Sequence, residues 1–203
     1  MTNKITLDNL RATYKQLGFP FFENGNFNLN LGIIRSDNRV ADAFDDIIYC
    51  AYKQGDVWKL ELFPATADPG VDHLVNPVFP EAIRGGSAIL AEGFYRKLWT
   101  AGWFKGKVGL RPLTKVRVYR DKNRDNILDL DPSTIEEGDF GIWGHVSFQG
   151  EIAQRVGLSS AACQVTKFES HMVRIVSLVR LSESIFGQGI SYAVINENQL
   201  VIL

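Results

Sequence analysis

Cysteine is scarce in this chain: Cys50 and Cys163 are the two among 203 residues, and neither belongs to a Cys-x-x-Cys pair. That excludes a disulfide framework and a cysteine-based metal site of the usual spacing. Excess charge is absent too, since 22 basic side chains face 23 acidic ones for a net charge of −1. The chain therefore supplies no long-range field for gathering phosphates or anionic lipid, and nucleic acid is not an expected partner. Long apolar runs are missing: no stretch of about 18 apolar residues reads as a transmembrane segment, and residues 1–10 lack the apolar core of a signal peptide. The expectation is cytoplasmic synthesis without a signal peptide. No internal repeat, charge block or low-complexity linker marks a boundary, so a single domain over residues 1–203 is expected.

What is present is a globular composition, 45% hydrophobic and 11% aromatic, which can bury a core. Leu7, Leu10, Tyr14 and Leu17 recur at helical steps, with Thr6 as N-cap and Gly18 as stop, and predict one short helix. Phe27, Leu29, Leu31 and Ile33 alternate, as do Trp58, Leu60 and Leu62, which predicts half-buried strands. Residues 46–52 and 115–119 read as two more. Pro64, Pro69-Gly70, Pro77, Pro80, Gly85-Gly86 and Gly93 break the middle into loop-rich β structure. Thr166-Lys167-Phe168-Glu169 has the capping-box form and predicts a second helix, lined by Phe168, Met172, Ile175, Val176 and Val179. After Gly187-Gln188-Gly189, the alternation of Ile190, Tyr192 and Val194, followed by residues 200–203, predicts a return to the sheet.

Two side chains carry candidate chemistry. Cys50 lies in an apolar strand-like run and reads as a small buried hydrophobe. Cys163 precedes the second helix, whose N-terminal amides and dipole would favour a thiolate there. A thiolate nucleophile needs an acceptor that is neutral at working pH, and histidine supplies one. His171 falls on the predicted helix near its solvent side and His73 in a proline-rich loop, both with ordinary roles expected. His145 ends the strand-like approach Phe140-Gly141-Ile142-Trp143-Gly144, eighteen residues before Cys163.

A strand ending in histidine, a glycine-containing loop, then Ser160-Ala161-Ala162-Cys163 leading towards a helix resembles the L,D-transpeptidase catalytic-domain family. The chain is closer to a branch found in bacteriophages and prophages of gut bacteria, with a Ser-Ala-Gly-Cys-Gln-Val box matched here by Ser160, Ala161, Cys163, Gln164 and Val165. Similar segments include Asn28-Leu29-Asn30-Leu31-Gly32-Ile33-Ile34-Arg35, Phe44-Asp45-Asp46, Ala67-Asp68-Pro69-Gly70 and the run from Tyr119 to Asn126. The resemblance implies a β-rich α+β fold, a mixed sheet of sandwich or barrel type, with residues 1–25 as an N-terminal helical extension and residues 26–203 as the catalytic domain. It also implies cysteine acyl transfer on peptidoglycan stem peptides. By that resemblance Cys163 would be the nucleophile, His145 the base, and the backbone around Ser160, Ala161 and Ala162 the oxyanion loop.

Two positions depart from the family. Ala162 replaces the glycine before the cysteine; a positive φ there would cost alanine on the order of 1 kcal/mol and misaim an oxyanion donor. Val165 stands where the cellular enzymes carry arginine, as in the phage-type box. The resemblance implies action on the wall after lysis or as a virion component, with other virion proteins as further partners. The rival expectation is a non-catalytic structural or wall-binding module.

Asp121, Asn123, Asp125 and Asp129 occupy positions 1, 3, 5 and 9 of an EF-hand-type loop, but Asn126 and Pro132 stand where glycine and glutamate belong. A solvated, Asx-stabilised turn is the favoured reading over calcium, and no cofactor is expected. Phe94, Tyr95, Trp99, Trp103 and Phe104 read first as core packing and second as a sugar-stacking surface. Lys97, Lys105 and Lys107 read as a solvated face.

Overall fold

Thr6 opens the first helix, α1 (Leu7–Leu17), by accepting the Asn9 amide on Oγ1 at 3.1 Å, and Gly18 closes it in the left-handed conformation. Both ends fall where the sequence places them, because cap chemistry is local. The structure is a computed structural model and describes residues 1–77 and 85–203; the breaker Pro80 lies outside them.

Eleven strands are found among the described residues. They are β1 (Asn30–Arg35), β2 (Asp46–Gln54), β3 (Val57–Thr66), β4 (Ser87–Leu90), β5 (Gly93–Phe104) and β6 (Lys107–Pro112). β7 (Val116–Asp121), β8 (Glu136–Gly138), β9 (Gly144–Val146), β10 (Gln164–Thr166) and β11 (Ile190–Asn196) complete the set. Eight of them close a mixed barrel in the order β1-β11-β5-β6-β9-β10-β3-β2, and β4-β7-β8 form a separate antiparallel sheet. Closure leaves no unpaired barrel edge. Two pairs are parallel, β1 with β11 and β9 with β10. The fold is thus β-rich with few helices.

Alternation predicts that the first strand is half-buried from Phe27 onward. It begins instead at Asn30 and is buried along its whole length, because both faces are covered. Ile33 points into the main core with Ile48, Cys50, Trp99, Tyr192 and Val194. Ile34 faces outward, where Leu10 and Tyr14 of α1 pack over it together with Ile47, Tyr49 and Ile195. The Tyr14 and Tyr49 hydroxyls meet at 2.7 Å and pair two polar groups that burial would otherwise penalise.

The second long helix, α3 (Glu169–Phe186), starts later than its capping box predicts, after a short helix α2 (Val71–Val75) earlier in the chain. Thr166 pairs with Val146 and Ala65 in the barrel, and its hydroxyl donates to the Phe168 carbonyl at 3.2 Å. Phe168 becomes the N-cap, without a side-chain cap. The ladder pairing on both sides of Thr166 wins over a single cap bond. α3 then lays Met172, Ile175, Val176 and Val179 on the main core.

The C-terminal residues do not return to the sheet. After β11 a turn of 3-10 helix redirects the chain along α1, where the Val201 amide donates to Thr13 Oγ1 at 2.9 Å and the Leu203 amide to Asn9 Oδ1 at 3.1 Å. Among the described residues no helix is long and apolar enough to cross a membrane.

Candidate active site

Cys163 stands immediately before β10, and His145 is the middle residue of its parallel neighbour β9. The register pairs Gln164 with Gly144 and Val165 with His145, while the Gln164 amide donates to the Trp143 carbonyl at 2.9 Å. From inside the barrel, Gln164 Nε2 donates to the Ala67 carbonyl at 3.0 Å and its Oε1 accepts from the Tyr192 hydroxyl at 3.1 Å. The residue after the cysteine is therefore pinned to the core. Before the cysteine, Ser160 Oγ donates to the Cys163 carbonyl at 2.8 Å, and the Ser160 carbonyl accepts the Gly70 amide at 2.9 Å.

Gly70 is required by a second close approach: a Cβ on it would lie 1.9 Å from the Gly157 carbonyl oxygen. The segment ending in Gly70 is fixed in turn by buried charge. Arg35 Nε lies 3.0 Å from Asp68 Oδ1, and Asp46 accepts the Ser36 and Ala67 amides at 2.7 and 2.6 Å. Burial, with Asp68 close by, pushes the Asp46 carboxyl well above the usual carboxylate range. Three segments that carry the family resemblance thus meet behind the cysteine loop.

Cys163 opens on a cavity of about 490 Å³, lined also by Ala161, Ala162, Phe140, Gly141, Ile142, Ala88, Asp139 and Arg120. Arg120 is buried; its Nε pairs with Glu136 Oε2 at 2.9 Å, and Phe140 lies over the guanidinium at 4.8 Å. Its Nη2 has no hydrogen-bond partner among the described residues. The backbone amides of Ala161, Ala162 and Cys163 likewise donate to no described group. Positive φ at non-glycine residues occurs, among the described residues, at Phe27, Asp42, Lys97, Lys105 and Arg124, so Ala162 is free of that strain.

The electrostatics differ from the sequence expectation. The helix start lies beyond β10, so no helix dipole acts directly on Cys163. Desolvation pushes its thiol up to about 11, against a lowering by the Trp143 backbone amide and by Lys105. His145 is buried, and that burial lowers its imidazole to about 4, with Lys105 acting in the same direction. Its Nδ1 lies 2.8 Å from the Val146 carbonyl oxygen, which can only accept. Nδ1 therefore carries the proton and Nε2 is the free acceptor. Among the described residues no hydrogen bond joins the Cys163 thiol to the imidazole. The resting pair is a thiol and a neutral histidine.

His145 is flanked by aromatic rings, with Phe104 stacked at 4.5 Å and Phe148 at 5.0 Å between centroids. Most of the predicted aromatic cluster is core, as for Trp99 and Tyr95, yet Trp103 is 65% exposed. Phe104 comes from the aromatic cluster that the sequence offers second as a stacking surface, whereas Phe148 and Lys105 beside it were not legible: Lys105 reads as part of a charged face, and hairpin register alone brings it over these rings. Arg120 lies in a segment of family resemblance that assigns it no role.

The other candidates lie apart from the cavity wall. Cys50 is fully buried in β2, where desolvation raises its thiol. His73 lies on α2, with Nε2 3.3 Å from the Leu158 carbonyl. His171 is half-buried at the start of α3, its ring 5.2 Å from that of Phe63, and burial lowers its pKa. In the aspartate-rich loop the Asp125 amide donates to Asn123 Oδ1 at 3.2 Å, the Ile127 amide to Asp125 Oδ1 at 2.7 Å, and the Asp129 amide to Asp121 Oδ2 at 3.0 Å. Asn123 and Asp125 serve Asx-type turns, whereas Asp121 is buried and reaches the Asp129 amide across eight residues. The described residues contain no cluster of three His, Cys, Asp or Glu able to share a metal ion.

No family model, curated protein or solved structure matches this chain.

Proposed function

We propose that this protein performs cysteine-dependent acyl transfer or hydrolysis on peptidoglycan stem peptides, as a phage- or prophage-encoded enzyme of L,D-transpeptidase type. The observation that carries the reading is the placement of Cys163 on the wall of a 490 Å³ cavity, one strand away from a histidine whose Nε2 is left as acceptor. In the reaction, His145 Nε2 takes the thiol proton as Sγ attacks a peptide carbonyl carbon. The amides of Ala161, Ala162 and Cys163 are the available donors for the oxyanion. The carbon–nitrogen bond then breaks, the proton passes from His145 to the leaving amine, and a thioester remains. Water releases it as an acid, or a second amine as a new amide. Because thiol and imidazole are both neutral at rest, proton transfer belongs to the substrate-bound state.

A second reading, a structural or wall-binding module with a degenerate site, is favoured by the raised Cys163 thiol and by the lack of a Cys163–His145 hydrogen bond among the described residues. Release of stem-peptide fragments from purified peptidoglycan separates the two. Wild type and Ala162→Gly are expected to release fragments and Cys163→Ala none. No release by wild type or the glycine variant on host walls leaves the module reading. Release by Cys163→Ala equal to wild type shows that another residue is the nucleophile.

A further inference from the structure

Strand alternation puts Arg120 on the face of β7 that also carries Val116 and Val118, and both of those side chains lie in the main core. An arginine in that row is buried, against the residue's usual place at the surface. Its position is set from several sides. The register pairs it with Ala88 of β4, and its Nη1 donates to the Gly86 carbonyl at 3.4 Å. Gly86 lies this close to β7 because it has no side chain: a Cβ there would fall 2.0 Å from the Asp121 carbonyl oxygen. Nε goes to Glu136 and the Phe140 ring lies over the guanidinium, so Nη2 is the nitrogen left without a partner among the described residues.

The ion pair is lopsided, since the Arg120 side chain is 2% exposed and that of Glu136 is 49% exposed. A half-solvated carboxylate compensates a buried cation only in part, and a buried N–H without an acceptor carries its full desolvation cost. Structural need alone would be met by an apolar side chain in this row. The guanidinium instead stands on the wall of the Cys163 cavity, as do its neighbours Gly86, Ala88 and Phe140. On that wall the Ser87 hydroxyl is committed to the His73 carbonyl at 2.7 Å, and a carboxylate at Asp139 can only accept. Among the described residues of the wall, Arg120 is the one cation.

We infer that Arg120 is a specificity-determining residue of this site, whose guanidinium receives a carboxylate of the substrate with Nη2 as a donor. The planar fork of a guanidinium matches a carboxylate edge, and the bond is charge-assisted. Phe140, over the guanidinium and on the same wall, is the ring that yields as the carboxylate approaches. Asp139 on that wall favours a singly charged carboxylate over a phosphate dianion. The inference rests on the acyl-transfer reading of Cys163, which makes the substrate a stem peptide and so supplies the carboxylate.

The test is isothermal titration of the full chain, carrying Cys163→Ala to prevent turnover, with a synthetic stem tetrapeptide in its free-carboxylate form and in a fully amidated form. The free form is expected to bind roughly ten- to a hundredfold more tightly, the range that a charge-assisted bond to a buried guanidinium supplies. Arg120→Gln should remove that preference and leave the affinity for the amidated form unchanged, whereas a merely structural role would weaken both together. Glu136→Gln leaves the buried arginine in place and removes the competing anion, so it should tighten the free form about two- to fivefold and not the amidated one. That variant decides the matter if Arg120→Gln does not fold. Equal affinities for the two forms, a preference that survives in folded Arg120→Gln, or no tightening in Glu136→Gln overturns the inference. Fragment release by wild type without a carboxylate preference strikes this inference alone. A preference without release strikes the acyl-transfer reading and leaves the role of Arg120 standing, and no binding together with no release strikes both.

Discussion

Val165 is the register partner of His145 across the parallel pair β9–β10, which sets Cys163 two residues before the side chain opposite the imidazole. The cysteine and the imidazole are therefore carried by neighbouring segments of one barrel wall. Their relative position is held by ladder bonds and by Gln164 on the inside.

Cys163 should react with iodoacetamide well before Cys50, because it lies at a cavity wall and Cys50 is fully buried. Its absolute rate near neutral pH should be low, rising about tenfold per pH unit until the thiol titrates near 11. Peptide mapping across pH 7–10 checks both. Equal labelling of the cysteines, or labelling of Cys50 alone, contradicts the structure.

Ala162→Gly, which completes the box that the sequence resembles, should leave any wall-hydrolysing rate far closer to wild type than the about 10²–10³ loss that follows removal of an oxyanion donor. Ala162 has no positive φ to relieve, and its methyl packs in the main core. The variant should instead be less stable by roughly 1 kcal/mol, seen in denaturant unfolding. A large gain in activity shows that the alanine distorts the loop.

Gly70→Ala should lower the melting temperature by about 3–10 °C, from an overpacking cost of about 1–3 kcal/mol. The new Cβ would fall 1.9 Å from the Gly157 carbonyl oxygen and 2.8 Å from two further backbone atoms of that residue, so backbone has to move. Because the Gly70 amide also holds the Ser160 carbonyl, the Cys163 alkylation rate should change with it. An unchanged melting curve rules out this close approach.

His145 predicts an acid-side loss of stability. Its folded-state pKa, about 4, lies below the unfolded value of 6.5, so the unfolded chain binds the proton first as pH falls. The neutral ring's contribution is complete above pH 6.5, declines between 6.5 and 4, and is gone below. Denaturant unfolding of wild type and His145→Gln should show their stability difference fall by up to about 3 kcal/mol across that window. Comparison by difference cancels the opposing titration of carboxyls such as Asp121, which burial pushes up to about 6. A constant difference shows that the imidazole titrates normally in the folded protein.

The sequence by itself determined the elements whose causes are local. Thr6 and Gly18 bound α1, alternation from Ile190 to Val194 reports β11, and the apolar run around Cys50 reports a buried strand. It also singled out Cys163, His145 and the Ser160 loop as residues to find near one another. Tertiary structure alone decided what depends on partners distant in sequence. Thr166 has the right neighbours for a helix cap but lies between two strands, and their ladders claim it. Phe27, Leu29, Leu31 and Ile33 alternate like a half-exposed strand, yet α1 covers the outer face of β1. The thiol is raised because folding buries it, while the strand between it and the helix start removes the lowering expected from a helix N-terminus. Lys105 reads as a solvated charge until hairpin register lays it over the rings beside His145. Caps and periodicity act over three or four residues, whereas barrel closure, desolvation and electric field are sums over groups the chain brings together only by folding.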